Sequence, residues 1–168
     1  MEKKKNMFER DLERGKRGEK IVKKYLELKG CVVEDVSDNP EYQGKDIDFL
    51  VNGKTVELKT DYIIHKSNNL FLETRYYYTK DTPHVKAHTV VKGYLGTSEA
   101  EYLAYYDIVW DRLYIYKFDD IKNYVINMYK TIPLRVCNDG YKRVEGYCLN
   151  KYRVQPVFQD VCVSQQEE

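Results

Sequence analysis

Asp48, Glu57 and Lys59 put two carboxylates and an ammonium into the short stretch DIDFLVNGKTVELKTD, Asp46 to Asp61. Its Asn52-Gly53 dipeptide is the preferred filling of a two-residue type I′ turn, so a hairpin is expected with strands at about 46–51 and 54–60. That turn sets a register: Val51 faces Lys54, Leu50 faces Thr55, Phe49 faces Val56 and Asp48 faces Glu57. Side chains alternate across a strand, so Lys59 shares the face of Glu57 with Asp46 opposite it, while Ile47, Phe49, Val56 and Leu58 fill the other. Directly opposed carboxylates destabilise a sheet and call for a cation. Mg²⁺ suits such oxygens, with Mn²⁺ as a substitute, and the Leu58 carbonyl and retained water would complete its shell. A divalent ion can polarise a phosphate and acidify an attacking water, while a nearby ammonium stabilises developing negative charge. Those are the parts of phosphodiester hydrolysis. The competing account is an amphipathic hairpin whose charged face is merely solvated.

The elements around the hairpin must position these groups. A helical pattern runs from Met7 to a stop at Gly30, with Phe8, Leu12, Ile21, Val22, Tyr25, Leu26 and Leu28 as apolar positions. Gly15 and Gly18 weaken its middle, which suggests a start near Gly15 after a basic approach of Arg10, Arg14, Lys16 and Arg17. Glu19 precedes Val22 by three residues and Leu26 by seven, which brings a carboxylate onto or beside the packed face. Lys16 and Arg17 are placed to meet phosphates, which position a nucleic acid without reading its sequence; a solvated helix end is the alternative.

Further along, residues 31–36 read as a strand, 37–45 as a loop and 70–77 as a strand. The segment 79–96 lacks a period and carries Lys80, His84, Lys86, His88 and Lys92, so it reads as a mobile connection whose Lys86 and Lys92 face nucleic acid. Ser98 and Glu101 form a capping-box pattern that predicts a helix to about Tyr106. A second hairpin is expected over 108–118, turning at Asp111-Arg112, then a helix capped by Asp119 and reaching about Lys130. Residues 131–158 read as irregular or β-like with a turn at Asp139-Gly140. One domain is expected over residues 1–168, its core at about 15–130 and a C-terminal extension over about 131–168.

Composition narrows the classes. The chain is 42% hydrophobic and 14% aromatic, enough for a core, and its 28 basic against 27 acidic residues give a net charge of +1, so attraction to a polyanion must come from local clustering. Cys31, Cys137, Cys148 and Cys162 form no CxxC pair, which suggests reduced thiols and a cytoplasmic protein. No run approaches the roughly 20 apolar residues needed to cross a bilayer. His84 and His88 have helical ligand spacing but no third partner nearby and read as solvated; His65 reads as a loop residue. Glu73 would join the metal only if its strand neighboured Glu57. Tyr76, Tyr77 and Tyr78 could offer a ring for base stacking but suit packing better, as do Tyr102, Tyr105 and Tyr106.

The pattern D-x(8)-E-x-K, on a hairpin preceded by a helix bearing Gly18-Glu19, resembles the PD-(D/E)xK, or restriction-endonuclease-like, superfamily. The likeness is closest to small phage- or prophage-encoded members, on Glu57-Leu58-Lys59-Thr60-Asp61, Ser67 to Glu73 and Gly96 to Tyr102, and it spans about Gly18 to Tyr124. It implies an α/β fold with a central mixed sheet flanked by helices. It also implies Asp48, Glu57 and Glu19 around Mg²⁺, Glu19 through water where it does not bind directly, with Lys59 assisting the attacking water. The expected activity is that of a Mg²⁺-dependent DNA endonuclease of the kind used in phage recombination, such as a Holliday junction-type resolvase, working as a homodimer in the host cytoplasm. No proline precedes Asp48, Glu101 stands where an Asp is usual, and the stretch 79–95 is long for the family. A non-catalytic DNA- or protein-binding module on the same fold is the alternative, and an RNA substrate a further one.

Overall fold

The computed structural model describes residues 7–83, 85–138, 140–161 and 163–165, with the side chains of residues 7–9 and 11 left aside. The hairpin forms as its turn chemistry dictates. Asn52 and Gly53 take φ of 50° and 78°, and β2 (Phe49–Val51) pairs with β3 (Lys54–Asp61) through Phe49↔Val56, Leu50↔Thr55 and Val51↔Lys54. There the ladder ends, one pair short of the expected Asp48–Glu57. The Asp48 N–H donates to the Val56 carbonyl at 2.9 Å, a slip of one residue, and Asp46 adopts φ 51°. The slip sends Ile47 into a different core from Phe49, Val56 and Leu58, and Asp46 binds the Thr97 hydroxyl at 2.5 Å instead of facing Lys59.

Six strands make a mixed sheet in the order β1-β2-β3-β6-β7-β10. β1 (Val33–Asp35), β7 (Arg112–Lys117) and β10 (Phe158–Val161) join antiparallel, while β6 (Tyr102–Asp107) runs parallel to β3. The helix expected over 98–106 is therefore largely a strand. The Ser98 hydroxyl accepts only a nearby bond from the Ala100 N–H, and the Glu101 carboxylate turns to Lys54 and Thr55 across the sheet. Residues 103–107 are all buried, and tertiary burial of that run overrides the local capping signal.

A second, antiparallel sheet has the order β5-β4-β9-β8: β4 is Asn69–Tyr78, β5 Val90–Lys92, β8 Leu134–Asn138 and β9 Lys142–Asn150. The stretch read as a mobile connection thus supplies β5 and a short helix, α4 (Tyr94–Thr97), and the stretch read as an extension is threaded into both sheets. Asp139 lies outside the described residues; Gly140 follows it at φ 76°.

The mixed sheet is covered on both faces, so the chain is α/β with helices and a second sheet packed on the first. Helix α1 (Met7–Leu28) buries Val22, Tyr25 and Leu26 against Phe49, Val56, Leu58 and Ala104. On the opposite face Leu103 and Tyr105 meet Leu70 and Leu72 of β4, Tyr94 of α4, and Phe118 and Ile121 of α5 (Phe118–Met128). Lys117, not Asp119, holds the N-cap of α5, and two short helices, α2 (Pro40–Gln43) and α3 (Ile64–Ser67), complete the set. Among the described residues no helix is long and apolar enough to cross a membrane.

Helix α1 runs unbroken through both glycines, with Leu12 and Leu28 exposed rather than in the core; the Phe8 side chain lies outside the described ones. Gly18 is there for contact: a Cβ on it would sit 1.8 Å from the Thr60 hydroxyl oxygen. Replacing it by Ala must push the helix off β3. Gly18→Ala should lower unfolding stability by about 1–3 kcal/mol, the usual range for overpacking. Adding Thr60→Ala should restore only part of that, because the Thr60 Cβ also lies close, at 2.8 Å. Urea denaturation of the three proteins measures both changes.

Candidate active site

Because β3 and β6 run in parallel register, Glu57 pairs with Leu103 and Lys59 with Tyr105, so both charged side chains point into the layer between the sheets. Glu57 is only 3% exposed. Its carboxylate forms an ion pair with Lys59, whose side chain keeps about a third of its surface, 32%. The Lys59 ammonium rests 4.4 Å over the ring of Tyr94. The Tyr94 and Tyr105 hydroxyls, 2.7 Å apart, both reach the Phe71 carbonyl. A solvated charged face is therefore not what this hairpin presents.

On its other edge β3 is paired with β2 only as far as Val56, which leaves the Glu57–Lys59 segment open to Asp48 and α1. Asp48 Oδ2 accepts from the Leu58 N–H at 2.7 Å. The N–H and C=O of an extended residue point to the same edge, so the Leu58 carbonyl is directed toward Asp48 as well. Glu19 reaches round this gap from α1. A cleft of about 260 Å³ results, lined by Glu19, Asp48, Glu57 and Lys59 with Lys16, Leu12, Ser37, Asp38, Gln43, Asp46 and Ile47. A second groove, of about 300 Å³, between α1 and the sheet is lined by Val22, Leu26, Phe49, Val56 and Phe158 and carries no carboxylate.

Like charge dominates the cleft. Partial burial, reinforced by Asp48 and Asp35 and partly offset by Lys16, pushes Glu19 up to about 7. Burial raises Asp48, against the pull of Lys59 and of the Leu58 N–H. Burial and then Asp48 raise Glu57, although Lys59 opposes them. Burial works against the charge of Lys59, but Glu57 and Glu73 outweigh it and hold the ammonium above its ordinary value. The oxygen-only donor set of Asp48, Glu57, Glu19 and the Leu58 carbonyl fits a hard divalent cation, and such a charge would relieve the repulsion. Among the described residues no three His, Cys, Asp or Glu side chains converge as a metal-binding group in their present rotamers. Asp48 is engaged by Leu58 and Glu57 by Lys59, so a bound cation would exchange those contacts.

Of the basic residues assigned to nucleic acid, Lys16 lines the cleft, but Arg17, Lys86 and Lys92 do not. Lys86 is paired with Asp81 at 3.8 Å, and Lys92 lies on β5 in the second sheet. Glu73 is on β4, so it is no strand neighbour of Glu57; it accepts the Tyr76 hydroxyl and acts on Lys59 through space. His88 bonds the Tyr77 hydroxyl at 2.9 Å, and His84 lies outside the described residues. Tyr105 and Tyr106 are buried, as expected. Cys31 and Cys148 are free thiols; Cys162 is outside the described residues. Sequence reading missed Tyr94. Its one signal was the preceding Gly93, where a Cβ would fall 2.3 Å from the Glu73 carbonyl oxygen.

Compared with known proteins, the chain matches no family model, no curated protein and no solved structure.

The raised Glu19 carboxyl links stability to pH. A carboxyl that holds its proton more tightly folded than unfolded favours the fold while protonated, so its contribution is complete below the ordinary value of 4.5 and is lost as pH rises toward 7. In EDTA the melting temperature should therefore fall between about pH 5 and 8. Glu19→Gln should flatten that fall and melt higher than wild type at pH 8. Thermal melts across the pH series measure this, and parallel curves for the two proteins would contradict it.

Proposed function

We propose that the protein is a Mg²⁺-dependent nuclease that hydrolyses phosphodiester bonds in DNA, on a restriction-endonuclease-like fold. The observation that carries this reading is the convergence on one cleft of Glu19 from α1, Asp48 from the turn before β2, and Glu57 and Lys59 from β3. Asp48, Glu57 and the Leu58 carbonyl would hold the metal, with Glu19 beside them. When bound, Mg²⁺ or Mn²⁺ supplies Lewis-acid polarisation of the phosphate and a more acidic water.

The chain's own groups supply the rest. Lys59 stays an ammonium because Glu57 and Glu73 hold its proton, and it can donate to the oxygen on which negative charge develops. Glu19, with its carboxyl near neutrality, can accept a proton from water at the mouth of the cleft. Lys16 offers a positive charge for a flanking phosphate. The aromatic floor of Tyr94 and Tyr105 keeps water from the inner side of Lys59. Cuts in both strands of a junction would need two such clefts, which a two-fold dimer supplies.

Cleavage of a labelled four-way junction and of a linear duplex tests the reading. Activity should require Mg²⁺ or Mn²⁺, vanish in EDTA, and fall by about 10²–10³ in Lys59→Ala, the usual loss on removing one charge-stabilising donor. Mg²⁺ should raise the melting temperature of wild type but not of Asp48→Asn. Equal behaviour of wild type and the Lys59 variant on every DNA would remove the catalytic claim. Binding of DNA with no Mg²⁺ shift would instead leave a non-catalytic module.

A further inference from the structure

Asp61 and Asp107 are register partners at the ends of β3 and β6, so the chain leaves both strands side by side at one edge of the sheet. Each carboxylate turns back to hold its own departing segment. Asp61 accepts from the Ile63 and Ile64 N–H groups at 2.6 and 2.8 Å, and Asp107 from those of Val109 and Trp110 at 3.1 and 3.1 Å. The first turn delivers Ile64 to the core, while the second leaves Val109 and Trp110 half-exposed.

What these turns carry is aromatic. The rings of His65 and Trp110 lie 5.8 Å apart. The Arg112 guanidinium stands 5.1 Å from the Trp110 ring centre. Trp110 is 50% exposed, which leaves much of a large apolar ring in water beside a cation. Rigid aromatic faces flanked by a guanidinium group match a partner that is flat, π-faced and anionic. The location narrows it further. Asp61 is two residues beyond Lys59 on β3, about 7 Å at strand rise, and faces the same side. A strand whose phosphate lies at the cleft would carry a neighbouring base to this edge. Bases inside a duplex have both faces covered by their neighbours, so only an unpaired base can use the ring.

We propose that Trp110, with His65 and Arg112, forms a stacking platform for an unpaired base of the DNA strand entering the cleft. The proposal rests on the nuclease reading for its substrate class. It assigns a preference for DNA with a single-stranded segment over uninterrupted duplex.

Trp110 is the chain's single tryptophan, so emission excited beyond tyrosine absorption reports on the platform alone. Titrating the full chain in EDTA with oligothymidylate should quench that emission, and a blunt duplex of equal length should quench it far less. By anisotropy of a labelled oligothymidylate, Trp110→Ala should bind about tenfold more weakly, in the range usual for loss of one base–aromatic stack. Trp110→Phe should keep most of the affinity, with circular dichroism confirming that both variants are folded. Unquenched emission at saturating oligonucleotide, or equal affinity for wild type and Trp110→Ala, would overturn the proposal. So would a change from dimer to monomer in Trp110→Ala at unaltered strand affinity, which would assign the ring to a contact between copies. Quenching without cleavage keeps the platform and removes the nuclease reading; cleavage indifferent to Trp110 does the reverse.

Discussion

A buried carboxylate and a half-buried ammonium two residues apart on one strand, facing the layer between two sheets, constrain much of the rest of this structure. Taking charges out of water is expensive, and mutual attraction repays it only where the surroundings supply further partners. Glu57 has Lys59, and Lys59 has the face of Tyr94 and the field of Glu73. Each partner places a demand on the fold. Tyr94 can lie over Lys59 because Gly93 runs against the backbone of β4, and Glu73 is there because the second sheet covers the first. The hydroxyls of Tyr94 and Tyr105 are in turn satisfied by the Phe71 carbonyl of β4. A polar pair of this kind in mid-strand is a poor way to stabilise a protein.

The hairpin was legible in the sequence because its turn is a local device. Two residues with positive φ decide three pairs of register, and Asn52-Gly53 announces them. The break at Asp48 was not legible, since it depends on bonds outside the hairpin: the Val36 N–H donates to the Asp48 carbonyl, and the Ile47 N–H to the Tyr42 carbonyl. It brings Asp48 to the Leu58 amide without the ladder pair that the turn seemed to dictate. The strand at 102–107 was misread for a related reason, since Ser98 and Glu101 do form short-range and cross-sheet bonds but no helix follows them. Glu19 was found by counting from Val22 and Leu26, whereas the need for Gly18 beside it lies in Thr60, which no local pattern reveals.

The cleft is anionic, and that character divides the work among its parts. With Asp35, Asp38, Asp46 and Asp48 around Glu19 and Glu57, the cleft's own carboxylates would repel a phosphate backbone. Lys16 and Lys59 are too few to reverse this, and the basic residues of the 79–95 stretch are built elsewhere. A polyanion can approach only where another cation is present or where affinity comes from groups away from the carboxylates. The aromatic edge at the ends of β3 and β6, proposed above as a stacking platform, would be of the second kind.

The closing strand, β10, has a consequence for how the molecule is made. Asp160 accepts the hydroxyl of Tyr25, 135 residues earlier, and pairs with Lys29 at 3.4 Å, while Val163 completes the core beneath α1. The helix that presents Glu19 is thus docked by chain synthesised long after it. Contacts of such sequence separation form late, because the loop they close must first surrender its entropy. During translation, then, the carboxylates of the cleft are brought together only after β10 has emerged, and a shorter nascent chain carries the residues of the site without the site itself.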